Sequence, residues 1–236
     1  RDLLALQSIR YESEKYGPSN YSIYMNKDYG NVKGYTFSFT KRYDPVSKTS
    51  AFVDYTYQVT EGNSVNSGSF YYNALSGEQE EKRIVPLAWD QRHILNTNLS
   101  IGDPRNWNVG IISKLSSGWP YTPNIPDANY VPQPNSGRKP WQWRIDMRVH
   151  KNFKVGNLNY LFFMKIYNLL DRRNERYVFN DTGRAGYTYV YQSTQETQGF
   201  KNHYGESGVH EWSEYQIRPH YYTSPRSINI GFSVDF

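Results

Sequence analysis

Residues 226–236, R-S-I-N-I-G-F-S-V-D-F, leave few folds open. Ile228, Ile230, Phe232, Val234 and Phe236 alternate without interruption with Ser227, Asn229, Gly231, Ser233 and Asp235. Side chains of a β-strand point to opposite faces in turn, so this is a strand with one apolar and one polar face. Its length, about ten residues, is what a tilted membrane-crossing strand needs. The stretch ends on an aromatic ring with no polar tail behind it. These features predict the closing strand of an outer-membrane β-barrel.

The same period recurs along the chain. Tyr35, Phe37, Phe39 and Tyr43 stand opposite Gly34, Thr36, Ser38 and Thr40, and a partner strand follows over residues 50–60. Further strands are predicted over 92–101, 108–117, 143–151 and 158–169. In 143–151, Trp143, Ile145, Met147 and Val149 alternate with Arg144, Asp146, Arg148 and His150. The charged face of that strand cannot meet hydrocarbon, where Arg or Lys at midplane costs about 2–4 kcal/mol. It must line a wet lumen or pack on a plug. Leu3, Leu4, Leu6 and Ile9 fit either a strand end or a short helix, and the polar, Tyr-rich run 11–31 reads as a loop around Gly17-Pro18 and Tyr29-Gly30. The expectation is seven strands, with room for an eighth at the N-terminus.

Connections sharpen the reading. Short turns at 44–49, 102–107 and 154–157 alternate with long polar insertions at 61–91, 118–141 and 170–224. Compact soluble domains rarely hold loops beyond about 12–15 residues. Up-and-down outer-membrane barrels place short turns at the periplasmic end and long loops outside. Composition agrees: hydrophobic residues are only 37%, yet aromatics reach 17%, with 23 Tyr. A soluble core would be richer in Leu, Ile and Val, whereas a barrel carries aromatic girdles around a polar lumen. No apolar run approaches the length of a membrane helix. The net charge of +5 is dispersed, which argues against a nucleic-acid surface. Zero Cys excludes disulfides and thiolate metal sites.

Four stretches carry a resemblance. Asp28-Tyr29-Gly30-Asn31-Val32-Lys33-Gly34 leads into a strand, and Asp90-Gln91-Arg92-His93 opens another. Ser117-Gly118-Trp119-Pro120-Tyr121-Thr122 closes a third, and Asn168-Leu169-Leu170-Asp171-Arg172-Arg173-Asn174 enters the longest loop. In this order, with Phe236, they resemble the C-terminal part of TonB-dependent outer-membrane receptors, over nearly the whole chain from about residue 21. The resemblance implies that residues 1–236 are part of a larger barrel of about 22 strands. The plug domain, the N-terminal strands and the energy-coupling box are then expected outside this sequence. It further implies a bacterial outer-membrane location and import of a scarce ligand of the siderophore, cobalamin or glycan class. Implied partners are outer-membrane lipid, the barrel-assembly machinery, the rest of the barrel with its plug, and a TonB-type energy-coupling complex. Asn229, Gly231, Val234 and Phe236 fill the places of an outer-membrane assembly signal. Phe236 would serve equally as a periplasmic girdle anchor.

No catalytic constellation is present, and the resemblance implies binding and gated passage without cofactor or covalent chemistry. His203, His210 and His220 share a loop with Glu206, Glu211 and Glu214, a composition common in polar loops. Among the loop aromatics, Trp119, Tyr121, Trp141, Tyr187, Tyr189 and Trp212 are candidate ligand contacts, since such rings give flat amphipathic area at low entropic cost. They could equally form the outer girdle or pack loops together. Two other readings stay open: a self-contained eight-stranded barrel with a structural or adhesive role, and a soluble β-sandwich binding carbohydrate.

Overall fold

The computed structural model describes residues 2–13, 17–63, 83–124, 132–189 and 218–235. The chain is all-β apart from a single 3-10 turn, Pro219–Tyr221, among those residues. Eight long strands run antiparallel in chain order: β1 (Asp2–Ser13), β2 (Gly17–Asp44), β3 (Thr49–Gly62), β5 (His93–Asp103), β6 (Trp107–Ser116), β9 (Gln142–Val155), β10 (Leu158–Tyr167) and β11 (Ser227–Asp235). Short strand β4 (Val85–Pro86) adds to the end of β3, and β7 (Pro120–Tyr121) pairs with β8 (Gly137–Arg138). All three short turns, 45–48, 104–106 and 156–157, fall at one end of the sheet. The long connections fall at the other.

One expectation needs correction. Residues 11–13 and 17–31 are strand rather than loop: 11–13 end β1, and residues 17–29 form the first half of β2 and pair with β1 from Ser13↔Gly17 to Asp2↔Tyr29. The physical reason is that the alternation of Tyr21, Ile23 and Met25 with Asn20, Ser22 and Asn26 is short and is bracketed by the turn signals Gly17-Pro18 and Tyr29-Gly30, which read locally as a loop. The second half of β2 pairs with β3 instead, from Gly30↔Gly62 to Asp44↔Thr49. Consequently residues 31–44 have no strand partner, among the described residues, on the side away from β3. The same holds for β11 on the side away from β10. The sheet is therefore open, not closed into a barrel.

Register separates two chemically distinct faces. Across the sheet, Ala51, Leu99, Ile111, Met147, Ile166 and Ile228 stand side by side. The next row of that face is Ile101, Val109, Val149, Met164 and Ile230. Above these rows lie Tyr55, Tyr57, His93 and Trp143; below them lie Trp107, Phe153, Tyr160, Phe162 and Phe232. The opposite face carries Ser38, Asp54, Asn96, Lys114 and Arg144, then Ser100, Gly110, Arg148, Lys165 and Asn229. Cross-strand hydrogen bonds satisfy part of it: Thr36 with Thr56 (3.0 Å), and Ser38 donating to Asp54 (2.6 Å).

Among the described residues nothing covers the apolar face. Their buried apolar side chains are Val85, Leu87, Ile166, Val178 and Ala185, and only Ile166 belongs to the long strands. Phe37 and Ile230 are each 67% exposed. A sheet buries its apolar face against a second layer, a partner or lipid, because leaving it in water forfeits about 25 cal/mol per Å².

Candidate functional site

The long-loop end is where side chains of distant segments converge, and two asparagines and an aspartate organise one half of it. Asn168 and Asp171 take positive φ (54° and 50°), a conformation Asn and Asp tolerate through local hydrogen bonds. Asn168 Oδ1 accepts from the Arg172 N–H (3.1 Å), while Nδ2 donates to the carbonyls of Arg172 and Ser224 (3.1 Å each). Asp171 Oδ1 accepts from the Arg226 N–H (2.8 Å), which sets the entry into β11. Asn174 copies a strand: Oδ1 accepts from Trp143 N–H and Nδ2 donates to Trp143 O, both at 2.9 Å. The segment thus holds the upper ends of β9, β10 and β11.

A buried carboxylate organises the other half. Asp90 is fully buried; Oδ1 accepts from the buried Thr60 N–H (2.8 Å), and Oδ2 from Arg92 Nε (3.3 Å) and from Arg138. Gln91 Nε2 donates to Ser117 O (2.9 Å), and the His93 N–H donates to Ser117 Oγ (3.1 Å). Directly after, the chain at Gly118 passes so close to the Lys139 backbone that any Cβ would land on that carbonyl.

The five candidate ligand contacts among the described residues are not brought to one place. Tyr121 packs its ring against Gly137 and Gly183, and Gly183 adopts φ +67°. Burial, then the nearby Asp181 charge, pushes its phenol above the usual range. Asp181 Oδ2 also accepts from Thr188 Oγ1 (2.7 Å) and the Tyr189 N–H (2.5 Å), while Tyr187 and Tyr189 meet edge to face at 5.7 Å. Tyr121, Tyr187 and Tyr189 therefore share one loop neighbourhood, in which Tyr121 is a packing residue and Tyr189 stays open to solvent. Trp141 stacks on His93 at 5.6 Å, on the apolar face, and His93 Nδ1 bonds Tyr55 Oη (2.9 Å). Trp119 contributes its carbonyl to the Lys139 N–H (2.9 Å) and its ring is part-exposed. Trp212 lies outside the described residues, as do His203, His210, Glu206, Glu211 and Glu214. Among the described residues no three His, Cys, Asp or Glu side chains could hold a metal.

Of the terminal positions, Asn229 lies opposite Lys165 on the polar face and Val234 opposite Tyr160 on the apolar face. Phe236 lies outside the described residues. Gly231 faces Phe163, whose ring covers the place a Cβ would occupy, with Lys165 Nζ 5.5 Å from that ring. A ring laid over a strand glycine replaces the side-chain packing the glycine lacks. Gly231→Ala is expected to impair folding, and Phe163→Ala to restore tolerance of alanine there. Equal damage in both backgrounds, measured as yield of folded protein, would refute the pairing.

What sequence reasoning missed is a cleft of about 410 Å³ at the top of the polar face, lined by Arg144, Tyr167, Asn174, Arg176, Tyr222 and Ser227, among others. Arg144 Nε pairs with Asp146 Oδ1 (2.8 Å) and its guanidinium lies 5.9 Å from the Tyr167 ring. Arg176 sits over Tyr177 at 5.4 Å. Between Asn174 and Arg176 in sequence, Glu175 turns to the neighbouring loop: its Oε1 accepts from Arg184 Nε (3.0 Å) and Nη2 (2.7 Å), and its Oε2 accepts from the Ala185 N–H (2.6 Å). The Glu175 hydrogen bonds hold the Arg184 guanidinium more firmly protonated than usual. Two guanidinium groups beside hydroxyls and amides suit a polar or anionic ligand. The alternation of Arg144 with Trp143 already places one of these residues on the wet face, but no local signal joins residues 144, 176 and 222.

Comparison with protein-family models, curated proteins and solved structures gives no match to this chain. The class defined by fold and site is thus structural: an open antiparallel sheet with one apolar face left uncovered by the described residues and a layer of interlocked loops at one end.

Proposed function

We propose that this chain is part of the wall of an outer-membrane β-barrel, of the TonB-dependent receptor kind, that binds and imports a scarce ligand. The observation that carries the reading is the uncovered apolar face with aromatic bands on both sides. Between the levels of Leu115 and Trp107, eight residues apart on β6, the strand rises roughly 27 Å. At a tilt of about 40° that is about 21 Å along a bilayer normal, near the apolar band of about 25 Å in such barrels. The open edges of β2 and β11 call for further strands, which favours a larger barrel over a self-contained eight-stranded one. A soluble sandwich needs a second layer over the apolar face, and the described residues supply none.

In this reading the polar face with Arg148, Lys165 and Lys114 lines a lumen occupied by a plug. The interlocked loops form the outer vestibule, and the Arg144–Arg176 cleft opens on the path of the ligand. Gated passage follows from plug movement driven by an energy-coupling complex, with the wall contributing shape and charge. Ligands of the siderophore, cobalamin or glycan class suit a vestibule of arginines, amides and tyrosines.

Neighbouring residues on β5 test the membrane assignment. Leu99→Arg is expected to cost about 2–4 kcal/mol of folding free energy in lipid vesicles, and Asn98→Arg about a few tenths. The measurement is denaturant unfolding of the vesicle-inserted protein. Equal costs, or folding without lipid or detergent, would sink the assignment.

A further inference from the structure

The short-turn end of the sheet carries more cation than a wall alone requires. Lys41, Arg42, Lys48, Arg105, Lys151 and Lys154 lie in or beside the three turns, against Asp44 and Asp103 among the residues described there. Both carboxylates serve their own turns. Asp44 accepts from the N–H groups of Val46 (3.1 Å) and Ser47 (3.0 Å), and Asp103 from that of Arg105 (3.0 Å).

At one place this positive rim is shaped into a cavity. The β9–β10 hairpin reaches beyond the 104–106 turn, because Trp107 pairs with Lys151 while β9 continues to Val155. Asn152 fixes the step: its N–H donates to Asn106 O (2.6 Å) and its Nδ2 to Arg105 O (3.1 Å). The step leaves a half-open cavity of about 590 Å³ at the lower edge of the sheet, where Lys154 and Asn159 come from the polar face of the hairpin, Phe153 and Tyr160 from its apolar face, and Arg105 and Asn106 from the turn beside them. Arg105 and Lys154 are exposed, and neither has an ion-pair partner among the described residues. Lys151 belongs to an apolar row, between Trp107 and Phe162, yet its Nζ reaches down to Asn106 Oδ1 (2.5 Å). A long side chain that crosses apolar surface to deliver its charge at the rim is behaving as lysine does at a membrane boundary. At the same level Phe153 stacks on Tyr160 (5.2 Å), and Tyr160 meets Phe232 (5.6 Å).

Cations and amide donors directly below an aromatic band match the depth profile of a bilayer surface, with rings among headgroups and Lys or Arg at phosphates. We propose that this step is a binding site for an anionic phospholipid, its phosphate held by Arg105 and Lys154 with Lys151 alongside, its acyl chains lying against Phe153, Tyr160 and Phe232. The site rests on the lipid-facing reading of the apolar face. An acidic protein would be drawn by the same charges but would leave the adjoining rings uncovered, so lipid is the occupant that uses both.

The test uses the full-length gene product, inserted in phosphatidylcholine vesicles containing phosphatidylglycerol and then extracted for native mass spectrometry of retained lipid. Phosphatidylglycerol should be retained over phosphatidylcholine, and each of Arg105→Gln and Lys154→Gln should lower that preference about fivefold. Arg42→Gln, at the same end but outside the step, should leave it unchanged. Equal retention of the two lipids, or equal loss with Arg42→Gln, overturns the site. Displacement of the lipid by inorganic phosphate alone would mean a free-anion site and overturns the lipid assignment. Vesicle flotation separates the two layers of the inference. Protein that floats but shows no lipid preference removes the site and leaves the barrel wall standing, whereas protein that never floats removes both.

Discussion

Gly118→Ala should produce one of the largest losses of folded protein available from a single methyl group. The added Cβ meets the carbonyl of Lys139, and that backbone is already fixed by the 2.9 Å bond from its N–H to Trp119 O. Overpacking of this kind costs about 1–3 kcal/mol, more where the obstacle is backbone rather than a movable side chain. Gly156→Ala is the informative control. Gly156 takes φ +60°, but a methyl group added there would meet nothing within 4 Å, so its cost is conformational only, about 1 kcal/mol. Denaturant unfolding of both variants should rank Gly118→Ala well below Gly156→Ala. The reverse order would show that the β6–β7 corner does not pack against residue 139.

Asp90→Ala should be comparably damaging. It leaves the buried Thr60 N–H without its acceptor and frees Arg138 and Arg92 from their shared carboxylate. Unsatisfied buried donors cost about 1–3 kcal/mol each and broken buried pairs about 3–5. Since Arg92 and Arg138 are about a third exposed, a total of about 2–4 kcal/mol is expected. Asp90→Asn keeps an acceptor for Thr60 and should cost less. In the Asp90→Ala background, Arg138→Ala should add little, because the partner is already gone. Additive costs, read from the same unfolding experiment, would mean the two side chains act independently.

These two residues also show what a sequence can disclose. Strands β3, β5, β6, β9, β10 and β11 are legible because alternation is a local record of two different environments on two faces. The first half of β2 is not, since its alternation, Tyr21, Ile23 and Met25 against Asn20, Ser22 and Asn26, is short and sits between Gly17-Pro18 and Tyr29-Gly30, which signal turns. Asp90 and Gly118 stand out as members of motifs, yet their reasons lie far along the chain: Arg138 is 48 residues from Asp90. Likewise the sequence shows Tyr121 only as an aromatic in a loop and carries no sign of the packing that fixes its ring. Its actual neighbours, Gly137 and Gly183, come from two other segments. Trp141 falls in a long polar insertion of the sequence and belongs instead to the apolar face, stacked on His93.

The neck of the longest connection has a consequence for how such a protein can change. Glu175 bridges Tyr222, the N–H groups of Arg176 and Tyr177 both reach Tyr221 O (2.8 and 3.1 Å), and the Thr223 N–H reaches Asn174 O (2.9 Å). The two strands of chain are thereby tied together before the tip begins. A tie of this sort insulates the sheet from whatever lies beyond it. Doubling the length of a loop adds only about 0.6 kcal/mol of closure entropy. New tips could thus be grafted above the tie, and old ones discarded, while register, faces and edges below stay as they are. Evolution could exchange the tip of this connection without altering how the strands below it pair.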